Sequence, residues 1–293
     1  MDKGRVGIVL INYNGEQFIS DCVNSLLDQT YKNIEILIWD NHSQDNSVRV
    51  IKQNYPFIKL IENKDNDGFA RANNLAVKEL LKGDCEYILL LNVDTVSDPF
   101  LIENLLEKAD ENTVTTGQIS MDRQNRIIWY GGGELQFDKG KSVHLNMQVK
   151  HEKKVTFICG CCMMIHRNII KKYGLFDPAY YLYYEDTDLC MRWYLQGVNM
   201  YYIPKAKLWH KVGGSLGEGR NPLEEYYMMR NRLMYADKFK KYVKVRKTEL
   251  IASIWRSLMS ELRKGEFNIL KAQFRGILDY CFKKTGRLKH RIT

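Results

Sequence analysis

The sequence predicts an α/β protein: a doubly wound, mostly parallel sheet flanked by helices, with a basic helical extension at the C-terminus. Three observations carry that prediction. Short apolar runs alternate with stretches of helical periodicity through the first third of the chain. The run Tyr87-Ile88-Leu89-Leu90-Leu91 does not alternate, as befits a strand buried on both faces, and it stops at Asn92-Val93-Asp94. Positive charge gathers late: residues 220–293 hold 19 Lys and Arg against 7 Asp and Glu, while the whole 293-residue chain carries +9.

The elements follow in order. Residues 6–12 are apolar and β-branched, a first strand that ends in the turn Asn12-Tyr13-Asn14-Gly15. In residues 16–29, Phe18, Ile19, Cys22, Val23, Leu26 and Leu27 recur at helical spacing. Residues 34–39 are a second buried strand, closed by Asp40; a polar loop from Asn41 runs into a helix over 48–53. Residues 58–62 are a third strand, 63–68 a turn, 69–81 a helix, and the Tyr87 strand comes next. Asp98-Pro99 opens a helix to 109, with proline in its favoured first-turn place. The rhythm then changes to short strands at 114–120, 126–130 and 134–137, a polar mobile loop at 139–155, and a strand over 156–166. A short helix at 168–173 and a turn at Gly174 lead to Tyr180–Tyr184 and the acidic start of a helix over 189–196, with Gly197 as its cap. A last strand at 200–203 precedes Leu208-Trp209-His210 and a flexible glycine-rich stretch at 213–217. From Leu223 onward the pattern is helical, in three amphipathic stripes.

Composition narrows the classes. At 45% hydrophobic and 27% charged residues the chain is globular, not disordered. The sequence shows no signal-peptide pattern and no run of about 18 apolar residues, so no membrane-spanning helix is expected. Cys159-Gly160-Cys161-Cys162 lies between apolar residues and reads as a core strand, not a metal site, and reduced thiols in the cytoplasm are the simplest expectation. The slightly acidic body argues against a nucleic-acid partner.

Four polar clusters fall at strand ends or helix starts: Asp40-Asn41, Asp65-x-Asp67-Gly68, Asn92-x-Asp94 and Glu185-Asp186-x-Asp188. Parallel strands bring their carboxyl ends to one edge, where ligands of such sheets bind. Carboxylates gathered there call for a divalent cation with a phosphorylated ligand. Asp40 is placed to reach a ribose or base, Gly68 lets backbone approach closely, and Arg71 can meet phosphate. The first turn lacks the GxGxxG of dinucleotide sites.

The joint order of these segments resembles family 2 glycosyltransferases of the rhamnosyltransferase-like subgroup. The segments are Ile11–Gly15, Asp40-Asn41-x-Ser43-x-Asp45, Asn66-x-Gly68-Phe69-Ala70-x-Ala72-Asn73-Asn74, Leu91-Asn92-x-Asp94, Gly160–Arg167, Gly174-x-Phe176-Asp177, Tyr184-Glu185-Asp186-x-Asp188-Leu189-x-x-Arg192 and His210-x-x-Gly213-x-Ser215. The resemblance implies a GT-A fold over residues 1–219, with a donor-binding half at about 1–97 and an acceptor-binding half at about 98–219. Residues 220–293 fall outside it. It also implies inverting transfer from a nucleotide-diphosphate sugar to a glycan or lipid-linked acceptor, assisted by Mg2+ or Mn2+. By this resemblance Asn12, Asn14, Asp40, Asn41, Gly68, Arg71, Asn74, Asn92 and Val93 fall on the nucleotide side. Asp94 carries the metal duty, with His210 near metal or diphosphate; the usual Asp-x-Asp has Asn92 in its first place. Asp186 matches the general base, and Tyr184, Glu185 and Trp209 lie toward acceptor or sugar.

Plainer readings stand beside these. Asp40 can be a turn residue, Asp186 a helix-dipole acid, His210 a structural histidine, Arg192 an ion-pair partner and the tyrosine cluster core packing. A catalytically inactive nucleotide-sugar-binding assembly protein, or a nucleotidyltransferase, would share much of the pattern. The latter wants a glycine-rich, basic loop after the first strand, which Asn12-Tyr13-Asn14-Gly15 lacks. The basic helices either cover an apolar face of the domain or make a peripheral contact with a membrane.

Overall fold

The computed structural model describes residues 3–122, 126–211, 221–244 and 247–289. The 213–217 stretch, with Gly213 and Ser215, lies outside the described residues. The predicted alternation is present: β1 (Val6–Asn12), α1 (Ile19–Leu27), β2 (Ile34–Asp40), α2 (Ser47–Asn54), β3 (Lys59–Glu62), α3 (Gly68–Leu80) and β4 (Tyr87–Asn92). There follow β5 (Thr95–Ser97), α4 (Leu101–Lys108), β6 (Thr113–Ser120), β7 (Ile128–Tyr130), β8 (Gly133–Gln136), β9 (Lys141–His144), β10 (Lys153–Lys154) and β11 (Cys162–His166). The chain continues through α5 (Arg167–Tyr173), a 3-10 turn at Pro178–Tyr180, α6 (Glu185–Leu195), β12 (Asn199–His210), α7 (Pro222–Lys238), α8 (Lys247–Lys264) and α9 (Phe267–Cys281).

The main sheet runs β10-β12-β6-β11-β4-β1-β2-β3, with β5 on β12 and β7 on β6. Strands β3, β2, β1 and β4 are mutually parallel, and β6 pairs parallel with β12. Strand β11 is inserted antiparallel between β4 and β6. The sheet order reverses at β1, since the chain builds β2 and β3 to one side and returns to place β4 on the other. That is the switch point at which open sheets leave a crevice beyond their carboxyl ends. Register sets the strand ends level there: Asn12 lies opposite Asp40, and Ile11 opposite Asn92. Ile88, Leu89 and Leu90 are fully buried between helical layers, which is why their run shows no alternation.

Several elements differ from expectation for identifiable reasons. The strand expected at 156–166 is ladder-paired only as β11; Gly160 turns the chain, and Phe157 makes an isolated bridge with Gly133. Strand β12 runs on to His210 where a strand was expected only at 200–203, and its register on β6 shifts between Ile203 and Lys207, around Pro204. The stretch expected as loop contains β9, which pairs with β8, and β10, which pairs with the outer side of β12. Neither has an apolar alternation to announce it, because both are edge strands held by backbone pairing.

Helix α7 packs on the body of the protein. It carries Tyr226, Tyr227, Met229, Arg230, Asn231, Leu233, Tyr235 and Ala236 inward. Helix α9 lies close against it: a Cβ at Gly276 would stand 2.7 Å from the Tyr226 carbonyl oxygen, so no larger residue fits.

Candidate active site

The first wall of the crevice is a polar network at the ends of β1 and β2. Asn12 is fully buried, and its amide nitrogen donates to Asp40 Oδ1 at 2.8 Å, Ser47 Oγ at 2.8 Å and Ser43 Oγ at 3.1 Å. Asp40 Oδ2 accepts from the Ser43 N–H at 3.1 Å. Asn14, with φ of 52°, donates its N–H to Ser43 Oγ and accepts from the Gln44 N–H at 2.8 Å. The two loops after β1 and β2 are thereby locked together. Asn12 acts as a buried brace for Asp40, and Ser43 and Ser47, to which no role was assigned from sequence, are its partners. Their signal was present in the Ser spacing after Asp40, but loop hydroxyls are too common to single out.

The second wall is the N-terminus of α3. Asn41 is buried; its amide donates to Asn66 Oδ1 at 3.0 Å and the Gly68 carbonyl at 3.2 Å, and its oxygen accepts from Asp67 N–H. Gly68 has φ of +74°, and a Cβ there would sit 2.5 Å from both the ring and the carbonyl oxygen of Tyr181. The Phe69 N–H donates to that same carbonyl at 2.8 Å. Glycine is required here by both conformation and space. Arg71 is largely exposed, 3.4 Å from Asp67, and free to turn toward an anion. Asn74 is not at the crevice edge in the same way: its side chain donates to and accepts from the Phe176 backbone, at 2.8 and 3.1 Å. It ties α3 to the turn after Gly174.

The third wall is the Asn92-Val93-Asp94 turn. The β5–β12 pairing sets His210 opposite Thr95, one residue beyond Asp94. His210 Nε2 lies 3.1 Å from Asp94 Oδ1, and both side chains are nearly buried. Asp94 Oδ1 and His210 Nδ1 are buried atoms without a hydrogen bond, so the close approach lacks hydrogen-bond geometry. A carboxylate and an imidazole this close, each with a buried atom left unpaired, are donor types that would suit a divalent cation. Trp129 packs edge-on to His210 and to His144, with ring centroids 4.8 and 4.5 Å apart. Burial pushes the His144 imidazole below its usual range. Trp129 and His144 went unnoticed in the sequence, since they sit on short strands without periodic signal. Trp209 precedes His210 on β12 and therefore faces the other side of the sheet. Among the described residues, the one group of three or more ligand-type side chains is Glu35, Asp84 and Cys85. It lies at the opposite edge of the sheet, where Arg5 approaches Asp84 at 3.0 Å and Glu35 at 3.9 Å. The cysteines Cys159, Cys161 and Cys162 are buried and free, with thiols pushed up chiefly by burial.

The fourth wall opens α6. Asp186 Oδ2 accepts from the Gly160 N–H at 3.1 Å, and Oδ1 from the Thr187 N–H at 2.7 Å. One residue on, the Cys161 carbonyl accepts from the Asn92 N–H at 3.1 Å. Asp186 is thus tied to the Asn92–Asp94 turn through two consecutive residues. Burial raises its carboxyl above the usual aspartate range, against the pull of those N–H donors. Glu185 is buried deeper, and burial, with the Asp186 charge beside it, raises its carboxyl well above the ordinary value. Both carboxyls are thus pushed toward the neutral acid, Glu185 the more strongly, and Glu185 packs inward. Arg192 pairs with Asp188 at 2.7 Å, the ion-pair role weighed for it from sequence.

The strap 181–184 before α6 is strained: Tyr181, Tyr183 and Tyr184 have φ of 58°, 64° and 71°. Helix α7 holds it. The buried Asn231 amide nitrogen donates to the carbonyls of Tyr180, Leu182 and Tyr183 at 2.9, 2.8 and 2.8 Å. Arg230, also buried, donates to the carbonyls of Tyr180 at 3.3 Å and Gly286 at 2.8 Å. Tyr184, at the helix entry, is packed against Tyr235.

A switch-point crevice bounded by Asp40, the glycine at the start of α3 and the Asn92-Val93-Asp94 turn belongs to a sheet of GT-A type, the fold of glycosyltransferases. The family profile "Glycosyl transferase family 2" matches residues 7–174, more than half of the chain, and the chain belongs to that family. It is 26% identical to an uncharacterised glycosyltransferase of Rickettsia typhi over 97% of this chain and 81% of that one. It is 24% identical to the N-acetylglucosaminyl-diphospho-decaprenol L-rhamnosyltransferase of Mycobacterium tuberculosis, over 72% of this chain and 77% of that one. Its fold is that of a mannosyltransferase from Pyrobaculum calidifontis solved with GDP-Man and Mn2+, at a TM-score of 0.59 and 12% identity, over 96% of this chain and 88% of that one.

Proposed function

We propose that this enzyme transfers a sugar from a nucleotide-diphosphate donor to a hydroxyl of a glycan or lipid-linked acceptor, with inversion at the anomeric carbon, in the assembly of a cell-surface polysaccharide or glycan. The observation that supports this reading is the hydrogen-bonded link Asp186–Gly160 and Cys161–Asn92, which ties the Asp186 carboxyl to the Asn92–Asp94 turn. Inverting transfer is a single in-line displacement. The acceptor hydroxyl sheds its proton as the new bond forms, and Asp186 takes that proton. Its raised affinity for protons suits it to that task better than an exposed aspartate.

On the donor side, Asp40 and the turn after Asn14 bind the nucleoside, and Gly68, Arg71 and the α3 start approach the diphosphate. Asp94 and His210 are the residues that would hold Mg2+ or Mn2+; a bound cation there stabilises the charge of the departing nucleoside diphosphate. Asn92 and Val93 shape the turn beneath it. Tyr184 and Glu185, being buried, support Asp186 and leave direct acceptor contact to other groups. The enzyme works in the cytoplasm, as a peripheral protein on the membrane that presents its acceptor. Among the described residues no helix is long and apolar enough to cross a membrane.

Incubation with a panel of UDP-, GDP- and dTDP-sugars, with Mn2+ or Mg2+ and lipid-linked acceptors, tests the proposal. Metal-dependent transfer with inverted anomeric configuration in the product is expected. Retained configuration, or nucleotide binding without turnover on every donor and acceptor, contradicts it.

A further inference from the structure

The two last helices expose apolar side chains that the fold leaves uncovered. In α9 the residues turned inward are Ile269, Ala272, Gln273, Gly276 and Asp279. On its other side Phe267, Phe274, Leu278 and Phe282 recur at steps of seven, four and four, and are 59%, 54%, 38% and 71% exposed. In α8 the inner side is marked by Ser253, bonded to Arg232, and Ser257, bonded to Gln273. Its outer side carries Ile251, Trp255 and Leu262, at steps of four and seven, 65%, 64% and 46% exposed. Stripes of this kind belong against an apolar partner.

Charge decides which partner. Between Lys247 and Lys289 the chain holds ten Lys and Arg against four Asp and Glu. Arg256 and Arg263 are exposed and directly follow Trp255 and Leu262, so each lies about a quarter-turn round from the α8 stripe. Lys283, Arg287 and Lys289 are exposed beyond Phe282. A second copy would bring like charge against like charge. An interfacial helix has the opposite need: Trp, Phe and Leu sink among acyl chains while Arg and Lys meet anionic headgroups.

We propose that the outward faces of α8 and α9 dock this enzyme on an anionic lipid bilayer. Ile251, Trp255, Leu262, Phe267, Phe274, Leu278 and Phe282 enter the interface, and Arg256, Arg263 and the basic residues after α9 bind its headgroups. This deepens the reading of a membrane-borne acceptor, because α9 packs on α7 and α7 holds the strap that opens α6. Docking and chemistry fail separately, since none of these side chains belongs to the crevice.

The test is co-sedimentation of the full chain with phosphatidylcholine vesicles, with and without phosphatidylglycerol, read together with Trp fluorescence. The wild type should bind the phosphatidylglycerol vesicles with a blue-shifted emission, and added salt should weaken the binding. The triple variant Trp255→Ser/Phe274→Ser/Phe282→Ser should bind at least about tenfold more weakly. Arg256→Gln/Arg263→Gln should lose about tenfold on the anionic vesicles. Donor hydrolysis by both variants should match the wild type, which separates this surface from the chemistry. No binding of the wild type to phosphatidylglycerol vesicles overturns the proposal, as does equal binding by the triple variant. A wild-type dimer that the triple variant abolishes also overturns it, because a second copy would then be what covers these helices.

Discussion

In the proposed mechanism Asp94 and Asp186 have separate roles, and each can be removed alone. Asp94→Ala leaves His210 as the sole metal-directed side chain, with a buried imidazole and no carboxylate beside it. Transfer should fall by a factor on the order of 10² to 10³, with excess Mn2+ restoring little, in a metal titration of kcat. For Asp186 the sign of the pH effect follows from its raised carboxyl. A raised value keeps the acid protonated, and idle as a base, to higher pH than an ordinary aspartate near 3.8. The acid limb of kcat should therefore lie above that value, and activity should fall as pH drops through it. Glu185 gives the complementary stability prediction. Its folded form favours the neutral acid, so its contribution is present below the ordinary 4.5 and is lost as pH rises. Glu185→Gln, neutral at every pH, should show a Tm that gains on the wild type steadily as pH climbs above that point. At this scale the sequence singled out the candidate acids but not how their surroundings differ. Asp186 and Glu185 are neighbours in the chain, and only packing shows that one faces the Gly160 N–H while the other turns inward.

Among the elements, α7 has the least expected role. The sequence showed an amphipathic helix after the recognisable pattern had ended. The structure puts its Asn231 under the carbonyls of Tyr180, Leu182 and Tyr183, in and just before the strained strap, so the helix supports the entry to α6. Asn231→Ala would take this donor from the Leu182 and Tyr183 carbonyls, while Tyr180 keeps Arg230, costing about 2–4 kcal/mol in urea unfolding. A freed strap should also lower kcat by more than it raises the donor KM, because the proposed nucleotide site draws on β1, β2 and α3. Asn231→Ser, a smaller donor, should recover part of both. The strands show the same contrast. Those from β1 to β4 were legible because burial on both faces leaves an unbroken aliphatic run. Strands β9 and β10 were not, since their pairing partners lie in distant segments and their side chains stay half in water. The break at Gly160 was hidden inside an apolar run that reads as one strand, yet it supplies the N–H that holds Asp186.

As a whole molecule, the enzyme sets a switch-point edge built from strand ends against the α6 entry, which is held by tertiary contacts from α7. That Asn12, Asp40, Gly68 and Asp94 gather at one edge of the sheet was legible in the sequence, because each ends or follows a strand or opens a helix and strand order brings them together. The places of Trp129, His144, Ser43 and Ser47 were not, because their roles arise from partners brought together by folding. The central claim is that the donor side binds and Asp186 takes the proton. Parallel measurement of nucleotide-sugar affinity by calorimetry and of transfer rate in Asp186→Asn tests it most directly. The account predicts donor affinity within about twofold of wild type, a rate lowered by about 10² to 10⁴, and loss of the acid limb in the residual activity. An Asp186→Asn enzyme that transfers at near the wild-type rate, or one that loses donor binding along with activity, would contradict it.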